Sequence, residues 1–229
     1  MSTEAFTGRA QAYTKARPGY PGEAIEYIRS LVLTDAVFAD IGAGTGKFTE
    51  CIAKYGYKIF AIEPNSDMRA ELKKTLAPYP NAGILIGTAE ATTLPDHSVD
   101  VITCAQALGW FDLPAFRTEC RRIGKPGVTV FSLHNTTPGD NFTPGSHRLS
   151  SKQAAEKFFQ NPQVREFPNI ILNTRERWIQ ARISISDSPK PSETGYDEYI
   201  AETNEIFDRY NVDGYLRSEM VTVIYSERM

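Results

Sequence analysis

The apolar positions near the start of the chain change their spacing, and each change predicts a new element. Ile25, Ile28 and Leu31 lie on one stripe at helical spacing, and Pro21 occupies a position where proline is favoured in a first helical turn. Residues 36–41 are instead a short apolar run followed by glycines, which is typical of a strand buried on both faces. The pattern therefore predicts a helix followed by a buried strand.

The alternation of helix and strand continues through the first 135 residues. Further helices are predicted at residues 45–53, 66–76 and 114–123, and further strands at residues 58–63, 84–86, 99–103 and 127–133. Strands that alternate regularly with helices form a parallel sheet covered by helices on both faces, which is an α/β fold. Such sheets bind ligands beyond the carboxyl ends of their strands. Residues 21–135 are therefore the predicted α/β core.

The composition changes after His134, and the sheet is expected to be interrupted there. The next residues are rich in Asn, Thr, Pro and Gly, which favour turns. We expect residues 136–195, which include a predicted helix at residues 151–159, to form an inserted cap rather than a second domain. Residues 196–229 then predict a last core helix and a closing strand at residues 219–225.

Composition and charge narrow the class of protein. Hydrophobic residues make up 41% and charged residues 23% of the 229 residues, so the whole chain is expected to fold. The formal charge of -3 and the short basic clusters argue against a nucleic-acid partner. Cys51, Cys104 and Cys120 follow neither a disulfide nor a zinc pattern, so no metal is predicted. The sequence has neither a signal-peptide pattern nor a long apolar run, and we expect a cytoplasmic protein without a membrane partner.

The sharpest local signal is the segment DIGAGTG at residues 40–46, between a predicted strand and a predicted helix. Glycines at alternate positions let the backbone turn tightly and approach a ligand, while free amides at the helix start face that ligand. A plain strand-to-helix turn is the alternative interpretation, but three glycines after an acidic residue exceed what such a turn requires. The segment is therefore interpreted as a cofactor-binding loop.

Three features of the surrounding sequence distinguish the possible cofactors. Glu63 ends the next strand about twenty residues later, where a carboxylate can accept both ribose hydroxyl groups of NAD or of S-adenosylmethionine. The loop is Gly-x-Gly-x-Gly, whereas the dinucleotide fingerprint is Gly-x-Gly-x-x-Gly. Asp40 would repel a pyrophosphate but suits a ligand with an ammonium group. The pattern therefore favours S-adenosylmethionine.

Longer motifs resemble a known family. FAIEPNSDMR at residues 60–69 and GTAEATTLP at residues 87–95, together with the loop, resemble class I S-adenosylmethionine-dependent methyltransferases. YTKARPGYP at residues 13–21 and AQALGWFD at residues 105–112 are similar to the trans-aconitate methyltransferase group. The resemblance implies a Rossmann-like fold with a mostly parallel seven-stranded sheet. It also implies S-adenosyl-L-methionine as cofactor and S-adenosyl-L-homocysteine as product.

The resemblance further implies a role for individual residues. Gly42, Gly44 and Gly46 would pass under the methionine and ribose of the cofactor, and Asp40 would contact its ammonium group; Glu63 would hold the ribose and Gln106 would line the methionine moiety. The adenine would be contacted by Pro64, Met68, Ala89 and Glu90. An N-terminal lid at residues 1–20 would close over the cofactor through Tyr13 and Arg17. Three have alternatives: Met68 as a core residue, Glu90 as a solvated acid, and Arg17 as a brace of the lid.

The acceptor is predicted from a position at which this sequence differs from the trans-aconitate methyltransferase group. Its members commonly have an aromatic-His-Trp-Phe-Asp run after the fourth strand, whereas Leu108 and Gly109 precede Trp110 here, and the histidine is absent. An ionised carboxylate acceptor needs no base, but it needs cationic clamps, for which arginine is best suited. We therefore expect O-methylation of a carboxylate, on a small organic acid or the C-terminus of a peptide-like product. The cap is therefore expected to bind the acceptor. Arg182 is the first candidate for the clamp, with Arg148, Arg175 and Arg177 as further cap arginines, and the candidate walls are Tyr13, Tyr20, Trp110 and Trp178.

Other functions remain open from the sequence. His134 closes the fifth predicted strand, where it could act as base for O- or N-methylation of another small metabolite, or serve only as a hydrogen-bonding residue. A non-catalytic S-adenosylmethionine-binding module is a second alternative, and a nicotinamide oxidoreductase is a third. The expected partner of a methyltransferase here is a small-molecule or peptide acceptor.

Overall fold

One sheet of seven strands organises the described part of the chain. The computed structural model describes residues 18–137, 149–184 and 188–229. The strands are β1 (Phe38–Ile41), β2 (Ile59–Ile62), β3 (Ala82–Leu85), β4 (Val99–Ala105), β5 (Gly124–Thr136), β6 (Gln163–Asn173) and β7 (Leu216–Arg228). Their order is β3-β2-β1-β4-β5-β7-β6. Strands β1 to β5 are parallel, and β7 is antiparallel to both β5 and β6. The prediction of a mostly parallel, seven-stranded α/β fold is confirmed.

Helices cover both faces of this sheet. They are α1 (Gly22–Ser30), α2 (Lys47–Ala53), α3 (Ser66–Leu76), α4 (Leu113–Ile123), α5 (Ser151–Phe158), α6 (Arg175–Ile183) and α7 (Tyr196–Tyr210). Ile25 of α1 and Phe48 of α2 pack against Phe38 on one face of the sheet. Phe116 of α4 and Phe158 of α5 stack on the other face, with ring centroids 5.1 Å apart. No helix in the three described ranges is long and apolar enough to span a membrane.

Polar side chains define where two helices begin near the carboxyl edge of the sheet. The Asn65 side chain accepts hydrogen bonds from the backbone N–H groups of Asp67 and Met68, both at 3.0 Å, and α3 begins directly after it. The Asp112 side chain accepts from the N–H of Ala115 at 3.0 Å, and α4 follows. An N-cap of this kind contributes about 1 kcal/mol. Asn65 and Asp112 therefore have a structural role in the two motifs that contain them.

Residues 136–195 were expected to form a cap, and this prediction is wrong for two elements of that interval. Helix α5 packs into the core through its buried Ala154 and Phe158. Residues Gln163–Asn173 form β6, the edge strand of the main sheet. Edge strands are exposed along much of their length and tolerate proline, here Pro168, so β6 lacks the apolar run of a central strand. Among the described helices of residues 136–195, helix α6 belongs neither to the sheet nor to its core clusters.

Candidate functional site

A cleft lies where β1, β4 and β5 reach the carboxyl edge of the sheet. It contains about 570 Å³ of space, part of which is open to solvent. Its walls include Asp40 and Gly44 near the end of β1, Ala105 and Gln106 at the end of β4, and Asn135 of β5. Ligands of parallel sheets bind at this edge. The glycine loop predicted from the sequence is therefore one wall of the cleft.

The three loop glycines all have positive φ angles, but they serve different purposes. A Cβ at Gly42 would lie 2.9 Å from the Cβ of Ala107, and a Cβ at Gly46 would lie 2.7 Å from Cδ1 of Leu72. These two glycines therefore allow close packing against neighbouring segments. A Cβ at Gly44, whose φ is +57°, would meet no atom within 4 Å. Gly44 is the loop glycine that faces open space in the cleft.

Asp40 supplies a buried carboxyl group at the cleft. Its Oδ2 accepts from the hydroxyl of Thr49 at 2.6 Å, and its Oδ1 accepts from the hydroxyl of Thr103 at 3.0 Å. Burial raises the pKa of Asp40 to about 7, although the two hydroxyl donors act in the opposite direction. Asp40 is therefore close to half-ionised at neutral pH. An ammonium group beside it would favour the ionised form.

The Thr45 hydroxyl is an unsatisfied polar atom in the same wall. Thr45 is buried and lines the cleft, and its Oγ1 has no hydrogen-bond partner. An unpaired buried polar group costs about 1–3 kcal/mol, so a ligand that pairs with it would recover that cost. Together with the Asp40 carboxyl and the open space at Gly44, this atom fits a ligand that carries both an ammonium group and hydroxyl groups. The residues present are thus compatible with S-adenosylmethionine.

Glu63 connects the end of β2 to the glycine loop. Its Oε2 accepts from the N–H of Gly44 and its Oε1 from the N–H of Asn65, both at 2.8 Å. Burial raises the pKa of Glu63, while these two backbone donors and the charge of Arg69 lower it. A carboxylate has about four acceptor positions, so two remain for other donors. Glu63 therefore holds the loop in its conformation, and its predicted contact with the ribose stays a prediction.

The residues predicted at the adenine are not among the described residues that line this cleft. Met68 and Ala89 are buried, and Pro64 is half-buried. Oε1 of Glu90 accepts from the N–H of Asp112 at 3.0 Å, which links the loop after β3 to the start of α4. Glu90 is thus held in place rather than a free solvated acid. The adenine contacts of these four residues stay predictions.

Gln106 has a backbone conformation that the sequence does not reveal. Its φ is +63°, in the left-handed region that non-glycine residues rarely adopt, and its N–H donates to the carbonyl of Leu133 at 2.8 Å. It lines the cleft directly after β4. Strained residues of this kind cost about 1–3 kcal/mol and concentrate at functional sites.

His134 points away from the cleft. Neighbouring strand residues face opposite sides of a sheet, and Asn135 lines the cleft. The His134 ring stacks instead on Tyr225, with centroids 5.9 Å apart. Its Nδ1 has no hydrogen-bond partner, and burial lowers its pKa to about 4. His134 is therefore neutral at pH 7 and only weakly basic, and it is not among the described residues that line the cleft.

The described acceptor candidates Trp110 and Arg182 lie on different elements. Trp110 ends a short 3₁₀ helix (Leu108–Trp110) after β4 and is half-buried. The Arg182 guanidinium lies over the rings of Trp178 and Tyr199, 5.8 Å and 5.2 Å from their centroids. Tyr13 and Arg17 lie outside the described residues. Neither Trp110 nor Arg182 is among the described residues that line the cleft, and the clamp role of Arg182 stays a prediction.

A partly buried polar network fixes the residues that precede α1 at the cleft. The carbonyl of Gly19 accepts from the side-chain amides of Asn135 at 3.1 Å and Asn169 at 3.0 Å. Oδ1 of Asn135 accepts in turn from the hydroxyl of Thr222 at 2.5 Å. Tyr20, which lines the cleft, packs edge-on against Phe48 with ring centroids 5.4 Å apart. Strands β5, β6 and β7 thus hold residues 18–20 against the cleft.

Sequence reasoning missed three polar wall residues, namely Thr45, Lys47 and Asn135. Thr45 and Lys47 could have been found, because they flank the last loop glycine where a helix begins. Asn135 could not, because its position depends on the pairing of β5 with β7. In the described ranges, no group of three or more His, Cys, Asp or Glu side chains is placed to hold a metal ion.

Comparison with known proteins agrees with this geometry. Residues 39–132 match a family described as a methyltransferase domain. An uncharacterized methyltransferase of Mycobacterium tuberculosis is 35% identical over 131 residues, which cover 57% of this chain and 52% of the relative. A malonyl-[acyl-carrier protein] O-methyltransferase of Methylococcus capsulatus is 33% identical over 103 residues, covering 44% of this chain and 38% of the relative. The chain spans about half the length of its mycobacterial relative.

A solved structure shares the architecture over almost the whole chain. This protein, from Anaeromyxobacter dehalogenans and described as a type II methyltransferase, has a TM-score of 0.68. It is 20% identical and covers 93% of this chain and 97% of its own. Identity at this level establishes the fold alone. The family match covers β1 to β4, most of β5 and the glycine loop. The chain therefore has the fold of this solved structure, and its residues 39–132 are similar to a methyltransferase domain.

Proposed function

We propose that the protein is an S-adenosylmethionine-dependent methyltransferase that methylates a carboxylate, on a small organic acid or at the C-terminus of a peptide-like product. The observation that carries this proposal is the cleft itself. It combines the buried Asp40 carboxyl, the unpaired Thr45 hydroxyl and open space at Gly44, and its described walls contain neither histidine nor cysteine.

The cofactor would be held by the side of the cleft that β1 and β2 form. Asp40 would pair with the ammonium group, which removes the cost of its burial as an ion. The Thr45 hydroxyl and the backbone at Gly44 would contact the ligand directly. Glu63 would keep the loop in its conformation and offer its remaining acceptor positions to the ribose. When bound, the cofactor supplies a methyl group on a positively charged sulfur, which is already an activated electrophile.

The proposed acceptor class follows from the residues that line the cleft, because those that are described include neither histidine nor cysteine. A carboxylate is ionised well above a pKa of about 4 and offers a lone pair without help from a base. It therefore suits a cleft whose nearest strand-end histidine faces the opposite side of the sheet. The name of the Methylococcus relative states O-methylation of a malonyl group, and a malonyl group carries a carboxylate. The similarity of residues 13–21 and 105–112 to the trans-aconitate methyltransferase group supports the same acceptor class.

The alternative of a base-assisted reaction on a hydroxyl or amine has less support. With a pKa of about 4, His134 would accept a proton poorly at pH 7. It would also have to act from the face of the sheet that Tyr225 covers. A non-catalytic cofactor-binding module would need only the first half of the cleft, so binding alone does not distinguish it from the enzyme.

The test is incubation with S-adenosylmethionine carrying a labelled methyl group and a panel of organic acids, amines, alcohols and peptides, read by mass spectrometry. We expect base-labile methyl esters of acids or peptide C-termini. Label transfer to amines or alcohols would refute the carboxylate assignment. Thermal stabilisation by S-adenosylhomocysteine without any methylated product would favour the binding module, and stabilisation by NADH instead would refute the cofactor assignment.

A further inference from the structure

The orientation of the Asn135 side-chain amide is fixed by its neighbours. Its Nδ2 lies 3.1 Å from the carbonyl oxygen of Gly19, and since a carbonyl can only accept, the amide must present its nitrogen here. The same carbonyl fixes the Asn169 amide, whose Nδ2 lies 3.0 Å from it. The Asn135 Oδ1 then accepts from the Asn169 amide at 3.2 Å and from the Thr222 hydroxyl at 2.5 Å. The reversed amide would set oxygen against the carbonyl of Gly19 and nitrogen against the amide nitrogen of Asn169.

One N–H group of the Asn135 amide is left for a ligand. A primary amide nitrogen carries two N–H groups, and the Gly19 carbonyl accepts from one of them. Within the residues that the structure describes, this nitrogen makes no second hydrogen bond. Asn135 is half-buried and lines the cleft, while its oxygen is already occupied by two donors. Asn135 therefore offers the cleft a hydrogen-bond donor of fixed orientation.

This donor lies away from the residues proposed to hold the cofactor. Asp40 belongs to β1, and Glu63 directly follows β2. In the sheet, β4 separates β1 from β5, which carries Asn135. Neighbouring strands lie about 4.8 Å apart, so the end of β5 is roughly 10 Å from the end of β1. Asn135 is thus across the cleft from the proposed cofactor residues, on the side left for the acceptor.

We propose that Asn135 is a specificity-determining residue that binds the carboxylate of the methyl acceptor and donates its second N–H to the oxygen that does not react. This proposal rests on the proposed function. In the transfer, the other carboxylate oxygen forms the new O–CH₃ bond, and the S–CH₃ bond breaks with its electron pair remaining on sulfur. The carboxylate loses its negative charge and the sulfur its positive charge, so the products are a neutral ester and a thioether, and no proton moves.

A neutral donor suits this reaction and selects the acceptor class. A carboxylate that becomes an ester loses its charge, so a strongly held ionised substrate would gain nothing in the transition state. The N–H of Asn135 holds one oxygen and leaves the other free to attack the methyl group. A neutral amine has a single lone pair, and the same N–H would occupy it. Asn135 therefore favours acid acceptors over amines.

The experiment measures methyl ester formed from labelled S-adenosylmethionine with acetate, malonate, succinate, benzoate and trialanine as acceptors. Each variant is assayed at a cofactor concentration that saturates it, with the acid that the unsubstituted protein esterifies fastest. We expect Asn135→Ala to raise the Michaelis constant for this acid about tenfold or more, because it removes a hydrogen bond to a charged group. Turnover should change less than about threefold, since the bond exists both before and during the transfer. Asn135→Asp should raise the Michaelis constant further, because it sets a like charge against the acid.

Asn169→Ala is the matched control. It also removes a donor to the Gly19 carbonyl, but Asn169 is not among the described residues that line the cleft. Its Michaelis constant for the acid should stay within about threefold of that of the unsubstituted protein. An equal rise in Asn169→Ala and Asn135→Ala would assign the effect to a loosened network and overturn the proposal.

The remaining outcomes separate this inference from the proposed function. An unchanged Michaelis constant for the acid in Asn135→Ala would overturn the inference alone, and a rise confined to the Michaelis constant for the cofactor would assign Asn135 to the cofactor instead. Thermal unfolding shows which variants are folded, and if Asn135→Ala is not, Asn135→Asp, which keeps the shape of the side chain, carries the same test. If the unsubstituted protein esterifies none of the acids, the proposed function is refuted and this inference with it.

Discussion

The two halves of the sheet build the cleft in different ways. In the first half, β1 and β2 have four residues each, and Asp40, Gly44 and Glu63 lie within three residues of a strand end. In the second half, β5, β6 and β7 have 13, 11 and 13 residues, and Asn135 and Met220 reach the cleft through strand pairing. We infer that the first half determines cofactor binding, whereas the second half positions the residues that close the cleft and select the acceptor.

The largest expected effect comes from a side chain inside the first half. Gly44→Val places a branched side chain in the open space of the cleft, and S-adenosylhomocysteine affinity measured by calorimetry should fall on the order of a hundredfold or more. Gly56→Val is the matched control. Gly56 also has a positive φ, +87°, and its Cβ would meet no atom within 4 Å, but it lies in the turn after α2.

Both substitutions should cost about 1–2 kcal/mol of stability, because valine is strained at positive φ. Affinity should therefore separate the two variants while thermal stability does not. Near-normal affinity in Gly44→Val, or an equal loss in Gly56→Val, would contradict the assignment of the loop to the cofactor.

The pH dependence of cofactor binding should also originate in the first half. The pKa of Asp40 is about 7, so its carboxyl is mostly protonated at pH 6 and mostly ionised at pH 8. If the ionised form binds the ammonium group, S-adenosylhomocysteine should bind about tenfold more weakly at pH 6 than at pH 8. Asp40→Asn should abolish this slope, and a slope that persists in that variant would belong to another group.

The same pKa predicts how stability changes in the protein without ligand. The ordinary pKa of the unfolded carboxyl is 3.8, and the folded value is higher. The folded state therefore binds the proton more tightly, and this contribution to stability is lost as the pH rises from about 4 to about 7. Denaturant titrations of the ligand-free protein at several pH values should detect the decline, and Asp40→Asn should lack it.

A smaller effect is expected from the second half. Asn169→Ala removes a donor to the Gly19 carbonyl, and the amides of residues 19 and 20 should exchange hydrogen several-fold faster, with only a slight loss of S-adenosylhomocysteine affinity. Asn173→Ala is the control, because Asn173 is equally buried on the same strand but donates to Ser218 and Leu216. Equal acceleration in both variants would mean general loosening of β6. Unchanged exchange in Asn169→Ala would contradict the role of the network.

The smallest effect is expected at His134. Its pKa of about 4 keeps it neutral from pH 6 to 9, so at saturating cofactor the turnover of a carboxylate acceptor should be nearly flat over this range. His134→Gln should change turnover less than about threefold. A sigmoidal rise near pH 6.5 that vanishes in His134→Gln would instead support a base-assisted reaction and move a catalytic role into the second half of the sheet.

The sequence predicted the first half well because its signals are local. The glycine loop, Glu63 and the short apolar strands are each set by neighbouring residues, and α3 begins and ends where its pattern indicates. Even here the separate purposes of the three glycines were not visible, since they depend on Ala107 and Leu72 from other segments.

The second half was harder to predict because its features depend on tertiary packing. Strand β6 is largely exposed, so its pattern lacks the apolar run of a buried strand. The position of the Arg182 guanidinium over the rings of Trp178 and Tyr199 depends on the packing of α6 on α7. Asn135 and His134 are adjacent, so the alternation of the strand sends them to opposite faces, but which of the two faces the cleft depends on how β5 packs in the sheet.

Pro168 has a consequence for how molecules of this protein meet each other. It lies in the middle of β6, at the open edge of the sheet, and it has no backbone N–H to donate. A strand from another molecule could therefore not form an unbroken ladder along this edge. The exposed charges of Arg165 and Glu166 beside it act in the same direction. An edge of eleven residues that carries exposed Ile170 and Leu172 is thereby protected against intermolecular sheet extension and the aggregation that follows from it.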